Sequence, residues 1–162
     1  MKNEKNIAIL KEMAESVRTC MFTTFSSGGE FGSRPMGTAK IEDDGSLWFY
    51  TNEYSPKSKE ISKENNVLLA YSDPSNNTYL TVKGKAELVD DKVRKEAYFS
   101  PFIKAWFPDG IEDPRLILIK VTPEEAEYWD ASASKIVVLF SILKAVVTGD
   151  TSNLGKHDTI KF

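Results

Sequence analysis

Apolar residues recur at helical spacing at the start of the chain: Ile7, Leu10, Ala14 and Val17, with Lys11, Glu12, Glu15 and Arg18 between them. This predicts an amphipathic helix over 4–18. The period then changes. Cys20-Met21-Phe22-Thr23-Thr24-Phe25-Ser26 is rich in aromatic and β-branched residues, and a second extended run covers 31–40 after Ser27-Gly28-Gly29-Glu30. Two such runs around a Gly-Gly turn predict a hairpin. Pro35 cannot donate to a ladder, so its strand belongs at an edge or carries a bulge.

Asp43-Asp44-Gly45 reads as a turn and Leu47-Trp48-Phe49-Tyr50-Thr51 as a third strand. Ser55-Pro56 opens a short helix, with Ser55 as N-cap and Pro56 at the first helical position. Strands follow at 67–72 and 78–89, the second alternating Leu80 and Val82 against Tyr79 and Thr81, with Gly84 marking a bulge. Asp90 is placed as the cap of a helix from Val93 to Phe99. The segment from Pro101 to Pro114 is too punctuated by proline for regular structure. Runs at 116–121 and 126–129 predict two strands separated by Thr122-Pro123. Ile136, Leu139, Phe140, Leu143 and Val147 fit one helical face ended by Gly149, which gives a C-terminal helix and tail over 135–162. The order lacks the strict strand–helix alternation of a doubly wound sheet. It predicts a single domain over 1–162, mainly β with peripheral α-helices, closed as a small antiparallel barrel.

Composition narrows the function. The 162 residues carry 21 basic and 24 acidic side chains, a net charge of −3, which argues against a nucleic-acid partner. The longest apolar run, Ile136 to Phe140, is far shorter than a bilayer span, and the polar start leads into an amphipathic segment; both point to a cytoplasmic protein with no membrane partner. One cysteine, Cys20, excludes an internal disulfide, and one histidine, His157, argues against a zinc site. Cys20 reads as a small core side chain, His157 as a surface residue, and the Asp43-Asp44 and Asp90-Asp91 pairs as turn and cap residues.

The candidate chemistry lies in Ser33-Arg34-Pro35-Met36, Phe49-Tyr50-Thr51-Asn52 and Ser55-Pro56-Lys57-Ser58-Lys59. A phosphate needs cations and hydrogen-bond donors converging on one point. The helix start offers free N–H groups and the positive end of a dipole, Ser58 a hydroxyl, and Lys57 and Lys59 ammonium groups. Arg34, on a strand, suits bidentate recognition. A solvated helix face and a surface ion pair would use the same residues.

The ordered set Arg34-Pro35-Met36, Trp48-Phe49-Tyr50-Thr51-Asn52, Ser58-Lys59-x-Ile61, Val82-x-Gly84-x-Ala86, Trp106-Phe107-Pro108-x-Gly110 with Asp113-Pro114, and Glu127-Tyr128-Trp129-Asp130 resembles the FMN-binding split-barrel family. That family includes pyridoxamine 5′-phosphate oxidase, and the general stress protein 26 group within it is the most similar. The resemblance implies a six-stranded antiparallel split β-barrel that forms a homodimer, with FMN in two clefts at the interface. It implies that Arg34 and Lys59 pair with the FMN phosphate and that Ser58 hydrogen-bonds it. Pro35 and Met36 would run beside the flavin and ribityl chain, and Phe49, Tyr50 and Thr51 would present strand backbone to the ring edge. Tyr79 stands where the oxidase has a glutamine touching the flavin, and Trp129 matches a tryptophan lining the cleft from the partner subunit. Trp106 either belongs to a flap over the flavin or plugs a gap beside the barrel.

One departure separates the chain from the oxidase itself. Two arginines follow that tryptophan in the oxidase; here the positions hold Lys135 and Leu139. A phosphorylated pyridoxamine would lose a bidentate anchor, since lysine acts as a point charge. The expectation is therefore an FMN-binding flavoprotein, an oxidoreductase using a small-molecule redox partner such as NAD(P)H, with a general-stress role but without vitamin B6 oxidase activity. The alternative is a non-catalytic protein that stores or senses flavin or haem.

Overall fold

The computed structural model describes residues 2–130 and 156–162. Its elements are α1 (Lys2–Val17), β1 (Thr19–Phe25), β2 (Phe31–Gly37), β3 (Lys40–Ile41), β4 (Leu47–Asn52), α2 (Pro56–Lys63), β5 (Asn66–Asp73), β6 (Thr78–Val89), α3 (Lys92–Ala97), 3₁₀ turns at Pro101–Ala105 and Gly110–Glu112, β7 (Leu116–Asp130) and β8 (Lys156–Lys161). The strands form one antiparallel sheet in the order β2-β1-β5-β6-β7-β4-β3, with β8 pairing β7. The sheet curls. Phe22 on β1 and Phe49 on β4 lie far apart in that order, yet their rings meet edge to face at 5.2 Å. This is the split barrel, with two strands more than expected: the short β3, and β8 within the predicted tail.

Alternation decides the core. Cys20 and Phe22 of β1, Leu69 and Tyr71 of β5, Leu80 and Val82 of β6 and Phe49 of β4 point inward and are buried. Leu10, Met13 and Ala14 lay α1 against this core. Helix α1 ends at Arg18, whose left-handed φ of 64° turns the chain into β1. Its N–H bonds Ala14 O at 2.9 Å, and its own carbonyl accepts Thr38 N–H at 2.8 Å.

Several local expectations hold. Pro35 lies on the edge strand β2, and β6 spans 78–89 with its register shifting between Lys83 and Gly84. Others need correction. Residues 116–130 form one continuous strand, not two, although Pro123 sits inside it. The missing proline N–H falls at the bulge, opposite Gly84, where the backbones approach so closely that a Cβ on Gly84 would lie 2.4 Å from Thr122 O. The cap of α3 is Asp91, whose carboxylate accepts Arg94 N–H at 3.0 Å, while Asp90 pairs with Lys95 at 2.6 Å. The proline-punctuated segment forms two short 3₁₀ turns, the first capped by Ser100. The predicted helix on Ile136 to Val147, with Lys135 and Leu139, lies outside the described residues.

Strand β7 organises the split. Along one edge it pairs β6 over its whole length. Along the other it pairs β4 through Leu116–Val121 and β8 through Glu125–Asp130. Helix α3 covers the outer side of β4: Arg94 stacks over Trp48 at 4.9 Å, and Tyr98 packs beside the same ring. Among the described residues no helix is long and apolar enough to cross a membrane.

Candidate functional site

Helix α2 begins as its sequence predicts. Ser55 caps it through Ser58 N–H, and Pro56 fills the first turn. Ser58 and Ile61 share the buried face. Lys57 and Glu60, three residues apart, share another, which meets the inner side of the β1–β2 edge. There Arg34 of β2 donates from Nη1 to Thr24 Oγ1 at 2.7 Å, and its Nη2 lies 3.5 Å from Glu60 Oε2. The Thr24 hydroxyl closes the triangle by donating to Glu60 Oε2. Thr24 is fully buried, whereas the Arg34 and Glu60 side chains are 28% and 33% exposed. The guanidinium folds back over Gly32, where a Cβ would lie 2.7 Å from Nη2.

Lys57 completes the cluster. Burial first, and then the Arg34 guanidinium, hold its pKa below the ordinary 10.5, with Glu60 acting in the opposite sense. Two cations therefore face one carboxylate, which leaves the group with net positive charge beside the first turn of α2. Such a concentration suits an anion carrying more than one charge.

The remaining expected site residues are spread over several places. At this same end, the buried Thr51 has its hydroxyl 3.5 Å from Ser55 Oγ. The Ser58 hydroxyl donates to Asn52 O at 2.8 Å and is 1% exposed. Lys59 is exposed on another side of α2. Met36 and Phe49 point into the barrel core. Tyr50 points the other way, donating to Lys95 O at 2.5 Å, and burial pushes its pKa up to about 12. On the outer sheet face, Tyr79 and Trp129 are cross-strand neighbours, 39% and 38% exposed, and Pro35 is exposed on the same face of β2. In the 3₁₀ segment Phe107 is buried, whereas Trp106 is 76% exposed.

Sequence reasoning missed Thr24 and Glu60. A threonine at an inward position of β1 and a glutamate three residues after Lys57 were the available signals. A surface hollow of about 580 Å³ lies at the other end of α2 beside Lys63, Glu64, Asn65 and Glu87, away from Arg34. Cys20 is inert: burial pushes its thiol up to about 12.

Comparison with known proteins gives the chain its relatives. Protein bli-3 of Neurospora crassa is 27% identical over 153 residues, which covers 89% of this chain and 73% of the relative. General stress protein 26 of Bacillus subtilis is 33% identical over 95 residues, 53% of this chain and 67% of the relative. A crystal structure of a candidate general stress protein 26 from Jannaschia sp. CCS1 superposes with a TM-score of 0.77 at 26% identity, covering 94% and 96% of the two chains. The general stress FMN/FAD binding protein of Xanthomonas citri gives 0.67 at 24% identity over 80% and 90%. The heme binding protein of Mycobacterium smegmatis shares the fold at 10% identity, with a TM-score of 0.65 over 96% and 57%. The family model described as pyridoxamine 5′-phosphate oxidase like matches residues 5–153, and the chain belongs to that family.

Proposed function

We propose that the protein is an FMN-binding oxidoreductase of the general stress type, holding the flavin phosphate between Arg34, Lys57 and the start of α2. The observation that carries this reading is the partly buried Arg34 cluster against α2, with Lys57 of the first turn near enough to feel the Arg34 charge. Folding alone does not require two cations there, and a phosphate dianion would relieve the penalty on Lys57. Thr51 and Ser55 would add hydroxyl donors beside it. Lys59, exposed on another side of the helix, would act at longer range, and the committed hydroxyl of Ser58 would hold the loop that shapes the pocket. Bound FMN would supply hydride transfer at N5. This chain's part is to anchor the phosphate, present β4 backbone to the ring edge and keep water out with Trp106 and Phe107.

The outer sheet face supports a homodimer. Met21, Tyr79 and Trp129 are exposed there, and Pro35, Met21, Ala70 and Thr81 occupy one cross-strand row. A second copy seated on this face would bury the patch and bring a second wall to the flavin. The role suits the cytoplasm, with NAD(P)H or a similar small molecule as redox partner. Titration of the protein with FMN, followed by visible absorption and fluorescence quenching, tests the reading: saturable binding is expected, and a protein that takes up no FMN at micromolar concentration overturns it. The shared fold of the heme binding protein supports a second reading, a carrier without turnover. Sustained NAD(P)H oxidation by the FMN-loaded protein separates the two.

A further inference from the structure

The triangle of Arg34, Thr24 and Glu60 holds a carboxylate at the place where an incoming anion would be bound. Glu60 Oε2 accepts the hydrogen bond of the Thr24 hydroxyl and lies 3.5 Å from Arg34 Nη2, while Arg34 Nη1 is spent on Thr24. Two nitrogens of the guanidinium are therefore turned toward the protein's own acid and its hydroxyl bridge. The backbone that carries Glu60 is held in place: it sits one residue before Ile61, whose 3% exposure anchors that turn of α2 in the core.

We infer that Glu60 is an internal competitor for the anion site: it parks Arg34 against Thr24 and Gly32, and a phosphorylated ligand must draw the guanidinium off it. A lowered affinity is the consequence. A phosphate dianion, with two charges and three acceptor oxygens, gains enough from Arg34 to displace a carboxylate already in place and bridged by a buried hydroxyl, but it does so at a cost. The carboxylate thereby sets the affinity of the site for a phosphomonoester below what its cations alone would give, and leaves an unphosphorylated analogue unaffected. This inference rests on the FMN reading above, because it assigns the phosphate to the Arg34 side of α2.

The test compares FMN with riboflavin on three proteins: wild type, Glu60→Gln and Gly32→Ala. Glu60→Gln keeps the size and an acceptor for Thr24 but removes the charge. Gly32→Ala leaves α2 untouched and places a Cβ 2.7 Å from the parked Nη2, crowding the guanidinium out. Removing one unit charge from beside a bound dianion at a partly exposed site should tighten FMN binding about tenfold at low salt, less at high salt. Riboflavin affinity should stay within about twofold, because it carries no phosphate to feel the charge. Gly32→Ala should shift FMN the same way, which keeps the inference testable if the glutamine variant folds poorly. Wild type that binds FMN, with Glu60→Gln binding it equally or more weakly and riboflavin unchanged, would show Glu60 to be a support for Arg34 and overturn the inference. Equal tightening of both ligands would overturn it too, since the change would then not act through the phosphate. Wild type that binds no FMN at all would instead bring down the functional reading on which it rests.

Discussion

Lys57 and Lys59 stand two residues apart on one helix, and the structure gives them different surroundings. Lys57 is half-buried and feels the Arg34 charge, whereas Lys59 is exposed on another side. A hydrogen bond to a charged partner contributes about 1.5–3 kcal/mol. Lys57→Ala should therefore weaken FMN binding by about 10- to 150-fold, at 1.4 kcal/mol per tenfold. An exposed ion pair is limited to about 1 kcal/mol, so Lys59→Ala should cost no more than about fivefold. The unliganded protein should respond in the opposite sense. The folded-state pKa of Lys57 lies below the unfolded value, so the unfolded chain binds more protons as pH rises toward 10.5, and Lys57 then contributes increasing stability. Below that window the charged amine is a burden on the fold, which Lys57→Ala removes. The variant should thus lose affinity while its unliganded form melts no lower than wild type. Fluorescence quenching by the two variants at low ionic strength, with riboflavin as control, measures the first effect, and thermal melts across pH measure the second. A larger loss from Lys59→Ala than from Lys57→Ala would refute the assignment.

Other consequences follow from particular contacts. Gly84→Val would press a Cβ that has only 2.4 Å to Thr122 O into backbone, and should destabilise by at least about 1–3 kcal/mol in urea unfolding. Asp113 is buried, and the Arg115 side chain, then its N–H, hold the Asp113 carboxyl down to about 2. A depressed carboxyl adds stability above its unfolded pKa near 3.8, and that part is lost as pH falls from about 4 to about 2. Asp113→Asn should melt lower than wild type at pH 7 and show a flatter acid limb. Trp129→Glu, on the outer face, should shift sedimentation toward the monomer and weaken FMN binding with little change in monomer folding; an unchanged sedimentation coefficient would remove that face from the interface.

Much of the fold was legible because local chemistry and global register agreed. Ser55-Pro56 is a helix start wherever it lies, and the alternation of Leu80 and Val82 fixed the inward face of β6 before any partner strand was known. Proline misled at 123, where its missing donor falls at a bulge that only Gly84, some forty residues earlier, makes possible. The eight-strand count was hidden for a similar reason, since β8 is a polar hexapeptide whose strand state comes from pairing with β7. The site divided along the same line. Arg34 was legible as a cation on a stiff edge strand, but its partners Thr24 and Glu60 come from two other elements, and only the curl of the sheet brings them together. Lys57 could have been preferred to Lys59 from helical geometry alone, once the buried face was known to carry Ser58 and Ile61.

In the proposed complex the flavin phosphate sits between Arg34 and Lys57, and a crystal structure with FMN bound would show it. Phosphate oxygens are expected about 3 Å from the Arg34 guanidinium and the Lys57 amine, with Arg34 drawn off Glu60. A phosphate bound elsewhere, with Arg34 still resting on Thr24 and Glu60, would contradict it.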